Sequence, residues 1–113
     1  GKLRYQNATE EELADKFNNC CMIDKTTILN GKLYRCPFSA NAHNLNAIPA
    51  NKNDVVDLGD DSKTMDEIKD AVEQLHRNKK YLEACKHCNG RDHLAPKIKA
   101  AIQTKKPLAI PKY

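Results

Sequence analysis

The chain of 113 residues has no tryptophan, two phenylalanines and four glycines, and 5% of its residues are aromatic. A core without large rings is thin, and a chain this short buries little apolar surface, so a bound metal would help it fold. Long apolar runs are also missing. None approaches the ~20 residues needed to span a bilayer, so no membrane is expected as a partner. The opening Gly1-Lys-Leu-Arg-Tyr5 lacks the apolar centre of a secretory leader, which predicts a cytoplasmic protein. An initiator methionine is absent too, and the sequence reads as a C-terminal fragment of a longer protein, one domain over residues 1–113. No Ser/His/Asp combination, glycine-rich phosphate loop or pair of catalytic carboxylates stands out.

Charge of neither sign dominates. Charged residues make up 30% of the chain and the net charge is +4. Acid gathers at Glu10-Glu11-Glu12 and between Asp54 and Asp61, and base at Arg77, Lys79 and Lys80 and along the tail from Lys97 to Lys112. Solvated helix ends are the commoner reason for such charges, so nucleic acid is not an expected partner.

Cysteine, by contrast, is abundant, with five in the chain. An odd number without a secretory leader argues against disulfides, and Cys85-Lys86-His87-Cys88 has the spacing with which two thiolates reach one metal. Asn89-Gly90 after the second thiol offers a turn whose backbone N–H groups face sulfur. A thioredoxin-like role needs a strand-to-helix junction in a βαβ unit, and no such pattern surrounds the pair. The intervening His87 is expected to point away from both thiolates, His76 to sit on the solvated side of its helix, and His43 to be exposed.

A second pair brackets a hairpin. Thr26-Thr-Ile-Leu29 and Lys32-Leu-Tyr-Arg35 read as strands, and Asn30-Gly31 tolerates positive φ at both turn positions. The hairpin spans residues 22–35 and brings Cys21 and Cys36 near one another. Thr9 with Glu12 and Thr64 with Glu67 are capping boxes. The first opens a helix to about Asn18 with Leu13, Ala14 and Phe17 on one face. The second opens a helix whose apolar stripe is Met65, Ile68, Val72 and Leu75. Residues 39–45 are either a short helix or a turn-rich loop, Val55–Leu58 is an edge strand or a docked loop, and a last helix is expected at about 95–104. The fold class is α+β: a small domain with one β-hairpin and two to four helices around a cysteine-ligated site.

The pattern of Cys21, nine residues, Gly31, four residues and Cys36, followed by a helix and Cys85-x-x-Cys88, resembles the C-terminal auxiliary iron–sulfur domain of radical S-adenosylmethionine enzymes, the type called SPASM or, with one cluster, twitch. The likeness runs from about residue 18 to 95. It implies that Cys21, Cys36, Cys85 and Cys88 ligate one [4Fe–4S] cluster, with Cys20 as the substitute for Cys21. Adjacent side chains of an extended strand face opposite ways, so one of Cys20 and Cys21 ligates, and the spacing selects Cys21. The full two-cluster form needs more cysteines than this chain has. The Cys-x3-Cys-x2-Cys loop that binds the radical-generating cluster is absent, so S-adenosylmethionine cleavage is assigned to a barrel N-terminal to Gly1. The resemblance thus implies a part of an oxidoreductase that transfers electrons and positions substrate, with the barrel of the same chain, an electron-donor protein and an unspecified substrate as partners. The same cysteines also allow a second reading: a zinc-ribbon-like module that binds nucleic acid or protein. An isolated fragment would accept zinc as well.

Overall fold

The turn at Asn30-Gly31 organises the sheet. A computed structural model describes residues 3–77, 79–90, 99–107 and 109. In chain order they form α1 (Glu10–Asn18), β1 (Thr27–Leu29), β2 (Lys32–Tyr34), α2 (Pro37–Asn44), β3 (Val55–Asp57) and α3 (Met65–Arg77), with 3₁₀ segments at Lys52–Asp54 and Glu83–His87. The domain is α+β.

Asn30 and Gly31 both take left-handed backbone, at φ 53° and 72°, the combination that matches the twist of the flanking strands. This sets Thr27 opposite Tyr34, Ile28 opposite Leu33 and Leu29 opposite Lys32. The free edge of β2 is then taken by β3, antiparallel, with Leu33 opposite Val56. The Val55–Leu58 run is therefore a strand rather than only a docked loop, because Val56 and Leu33 bury each other on the core face. Gly31→Ala should lower stability by about 1 kcal/mol, the cost of a Cβ in left-handed backbone. Gly59→Ala, where an added Cβ meets Asp57 Oδ1 at an ordinary 3.7 Å and φ is not positive, should be close to neutral. Urea midpoints of the two variants check the pair.

The first helix start is the full capping box that the sequence predicts, and the second keeps the Thr64 cap while the Glu67 carboxylate accepts from the Thr64 hydroxyl and not from its backbone N–H. The Thr9 hydroxyl accepts from the Glu12 N–H at 3.2 Å while the Glu12 carboxylate accepts from the Thr9 N–H at 3.0 Å. The Thr64 hydroxyl accepts from the Glu67 N–H at 3.2 Å. Leu13 and Phe17 of α1 are buried, and α3 packs on β3 through Ile68, Val72 and Leu75. Met65, in the first turn of α3, is instead 67% exposed. The segment at 39–45 is helical within α2, which starts at Pro37 with Cys36 as its N-cap. The core joins Phe17, Leu33, Ala42, Ile48, Val56, Leu75, Leu82 and Ala84.

The tail differs from expectation. Of the helix placed at 95–104, residues 95–98 lie outside the described residues, and 99–104 are not helical. Ile102 is 89% exposed, so this stretch has no face packed on the core, and a short segment without packing does not hold a helix in water. Among the described residues no helix is long and apolar enough to cross a membrane.

Candidate metal centre

Three separate pieces of chain deliver cysteines to one place. α1 ends in a tight turn: the Cys20 N–H donates to the Phe17 carbonyl at 3.2 Å and the Ile23 N–H donates to the Cys20 carbonyl at 3.0 Å. The two neighbouring cysteines are thus on a turn and not on an extended strand. Cys20 is half-buried and lines a pocket, whereas Cys21 is exposed and lies outside it. The alternation of an extended strand therefore does not decide which thiol faces inward.

Cys36 follows β2 and caps α2, where the Ser39 N–H donates to its sulfur at 3.3 Å. Cys85 lies in the second 3₁₀ segment, and Cys88 follows it, its N–H donating to the Cys85 carbonyl at 3.3 Å. Cys20, Cys36, Cys85 and Cys88 all line the same pocket, walled by apolar side chains that include Phe17, Ile23, Phe38 and Leu82. Three of the four sulfurs accept a backbone N–H. Besides the Ser39 bond, Met22 N–H donates to Cys20 Sγ and Gly90 N–H to Cys88 Sγ, each at 3.4 Å. Gly90 stands at φ 92°, so the Asn89-Gly90 turn makes the sulfur contact expected of it.

Burial keeps the Cys36 and Cys85 thiols in their protonated form. Burial pushes Cys85 up to about 12, a backbone hydrogen bond at Leu82 pulls it down, and Cys36, Cys88 and Asp54 push it further up. Burial also raises Cys36, the Ser39 N–H lowers it, and Cys20 and Cys88 raise it. The four sulfurs therefore feel one another. They are not closed around a point, however: among the described residues, no three His, Cys, Asp or Glu side chains are grouped tightly enough to hold a single metal ion. Soft sulfur donors, N–H groups aimed at them and an apolar wall suit a thiolate-bound iron–sulfur or zinc centre.

Three residues that the sequence reading did not single out support the site. Asp54 is 1% exposed, and its carboxylate accepts from the Glu83 and Ala84 N–H groups at 2.8 and 2.7 Å. It thereby fixes the start of the 3₁₀ segment that carries Cys85. Burial raises its pKa, and those two N–H bonds oppose the rise. Lys16 and Arg35 line the pocket with the cysteines. Periodicity could have flagged both: Lys16 stands three residues after buried Leu13 on α1, and Arg35 two after buried Leu33 on the β2 side of the hairpin. Asp54 leaves no such local trace, since its partners are 29 and 30 residues away.

His87 does lie away from the thiols, lining a separate hollow and meeting the Tyr5 ring edge-on at 5.5 Å. His43 is half-buried on α2 instead of exposed, with Nδ1 donating to the Ser39 carbonyl at 2.7 Å. His76 is also half-buried, its Nε2 2.9 Å from the Thr26 hydroxyl, because α3 packs that flank against the chain before β1. Arg91 and His93, which follow the Cys85–Cys88 pair in sequence and could approach the site, lie outside the described residues. Set against protein-family models, curated proteins and solved structures, the chain matches none of them.

Proposed function

We propose that the domain holds one [4Fe–4S] cluster on Cys20, Cys36, Cys85 and Cys88, as an auxiliary electron-transfer and substrate-positioning domain of a radical S-adenosylmethionine oxidoreductase. The observation that carries the reading is the delivery of four thiols from three chain segments to one apolar pocket, three of them already accepting backbone N–H groups. Cys20 takes the place that spacing gives to Cys21, because Cys20 alone of the two lines the pocket. When bound, such a cluster supplies one-electron chemistry. The chain's own residues ligate it, exclude water through the apolar wall, and lower the energy of thiolate sulfur through the N–H bonds.

The radical-generating barrel of the same chain, an electron-donor protein and a substrate complete the proposed assembly.

The test is anaerobic reconstitution with iron and sulfide, followed by metal analysis. About four irons per chain and a broad absorption near ~400 nm support the reading. A colourless protein with one zinc and no iron overturns it in favour of the ribbon-like module. Loading should also depend on pH in a fixed sense. The raised Cys36 and Cys85 thiols carry protons at neutral pH that ligation must release. Affinity therefore rises with pH and falls as acid returns those protons.

A further inference from the structure

Among the described residues that line the pocket there are two cations and no carboxylate. Lys16 is half-buried, and its ammonium donates to the Gln6 side-chain carbonyl at 3.0 Å, the Cys85 carbonyl at 3.2 Å and the Cys88 carbonyl at 2.7 Å. Its three protons are thus committed to neutral oxygens, two of them on the backbone of the cysteines themselves. Arg35 is 5% exposed, and its guanidinium donates to the carbonyls of Ile23, Leu75 and His76 and lies over the Phe17 ring at 5.5 Å. Its Nε is buried with no hydrogen-bond partner among the described residues. Among the described residues neither cation has a carboxylate within ion-pair distance; the ion pair formed there is Lys86–Glu83.

Burying a charge is costly unless an opposite charge or a full set of hydrogen bonds compensates it. Two cations on the wall of one apolar pocket, one with an orphaned N–H, leave an excess positive charge where the four thiols meet. As protonated thiols the cysteines do not offset it. As four thiolates around a metal centre they do, since four sulfur charges exceed that of the metal core they bind and leave the centre anionic.

We infer that Lys16 and Arg35 are the built-in counter-charges of this anionic thiolate centre, and that they raise its reduction potential. The inference rests on the iron–sulfur reading and adds that α1 and the end of the hairpin set the electrochemistry of the site. Adding an electron makes the centre more negative, and nearby cations favour that state. Lys16 acts through space and through the Cys85 and Cys88 carbonyls. Arg35 acts from the opposite segment while tying α3 to the turn before β1.

The experiment compares the reconstituted wild-type chain with Lys16→Gln, Lys16→Arg and Arg35→Gln by anaerobic potentiometric titration of the cluster's visible spectrum. Lys16→Gln removes the charge and keeps a hydrogen-bond donor. The expected result is a fall in midpoint potential of about 59 mV or more, a tenfold change in the reduced-to-oxidised ratio for one electron. Lys16→Arg should keep the wild-type potential. Arg35→Gln should shift it in the same direction if the variant folds, and Lys16→Gln decides the matter by itself if it does not. A purely structural Lys16 would change denaturant stability in Lys16→Gln and leave the potential where it was, which overturns the inference. Wild-type protein that takes up no iron and sulfide overturns the cluster reading itself, a failure visible before any variant is made.

Discussion

Replacing Cys20 by alanine should remove most of the iron and sulfide that the chain takes up, whereas Cys21→Ala should leave both close to the wild-type level. The two cysteines are adjacent, so composition, charge and local propensity cannot separate their effects, and only placement differs. Cys20 is half-buried on the pocket wall with the Met22 N–H on its sulfur, and Cys21 is exposed. In the proposed [4Fe–4S] centre, losing one of four thiolates would leave an iron without its protein ligand and make the centre labile. For Cys36, Cys85 and Cys88 the same loss is expected. Iron and acid-labile sulfide per chain, measured for all five single variants prepared together, give the comparison. Loss with Cys21→Ala and retention with Cys20→Ala would mean that the turn after α1 opens on loading and the spacing rule selects the ligand.

Asp54→Ala should be the most damaging change outside the cysteines. The carboxylate is fully buried and holds two N–H groups at the start of the 3₁₀ segment, so its removal leaves two buried donors unpaired. Each costs about 1–3 kcal/mol, which predicts a loss of about 2–6 kcal/mol by urea denaturation. That is a large fraction of the stability of a domain this size. Asp54→Asn keeps one acceptor and should fall between. Because burial raises the Asp54 pKa, its ionised form is held at a cost above that pKa, and the cost is relieved as pH falls through it toward the ordinary value. The deficit of Asp54→Ala relative to wild type should accordingly be smaller at neutral pH than at a pH below the raised pKa, and the lost N–H acceptors keep it a deficit at both. Asp54→Ala should also load less iron than wild type at a temperature where both are folded, since Cys85 is the residue after the Ala84 N–H that Asp54 holds.

The parts of this architecture that local chemistry dictates were legible in the sequence. The Asn30-Gly31 turn, the capping box at Thr9, the Thr64 cap on the Glu67 N–H and the Ile68, Val72 and Leu75 face of α3 depend on near neighbours in sequence, and each is built accordingly. What depended on long-range packing was not legible. Val55–Asp57 is an edge strand and not a docked loop because β2 offered an edge. The stretch 99–104 carries no helix because nothing packs on it. His76 is half-buried because α3 lies against the segment before β1. In the site, the cysteine pairs stood out by spacing. The choice between Cys20 and Cys21 turned on a backbone turn that spacing does not encode, and Asp54 gains its role from partners about thirty residues away.

The central claim is that four particular thiols share one centre and the fifth does not. Alkylation of the anaerobically reconstituted chain with iodoacetamide, followed by peptide mass mapping, tests it directly. The account predicts modification of Cys21 with Cys20, Cys36, Cys85 and Cys88 protected, and labelling of all five once the centre is stripped and the chain unfolded. Rapid labelling of Cys20 with Cys21 protected, or labelling of all five in the reconstituted protein, would contradict it.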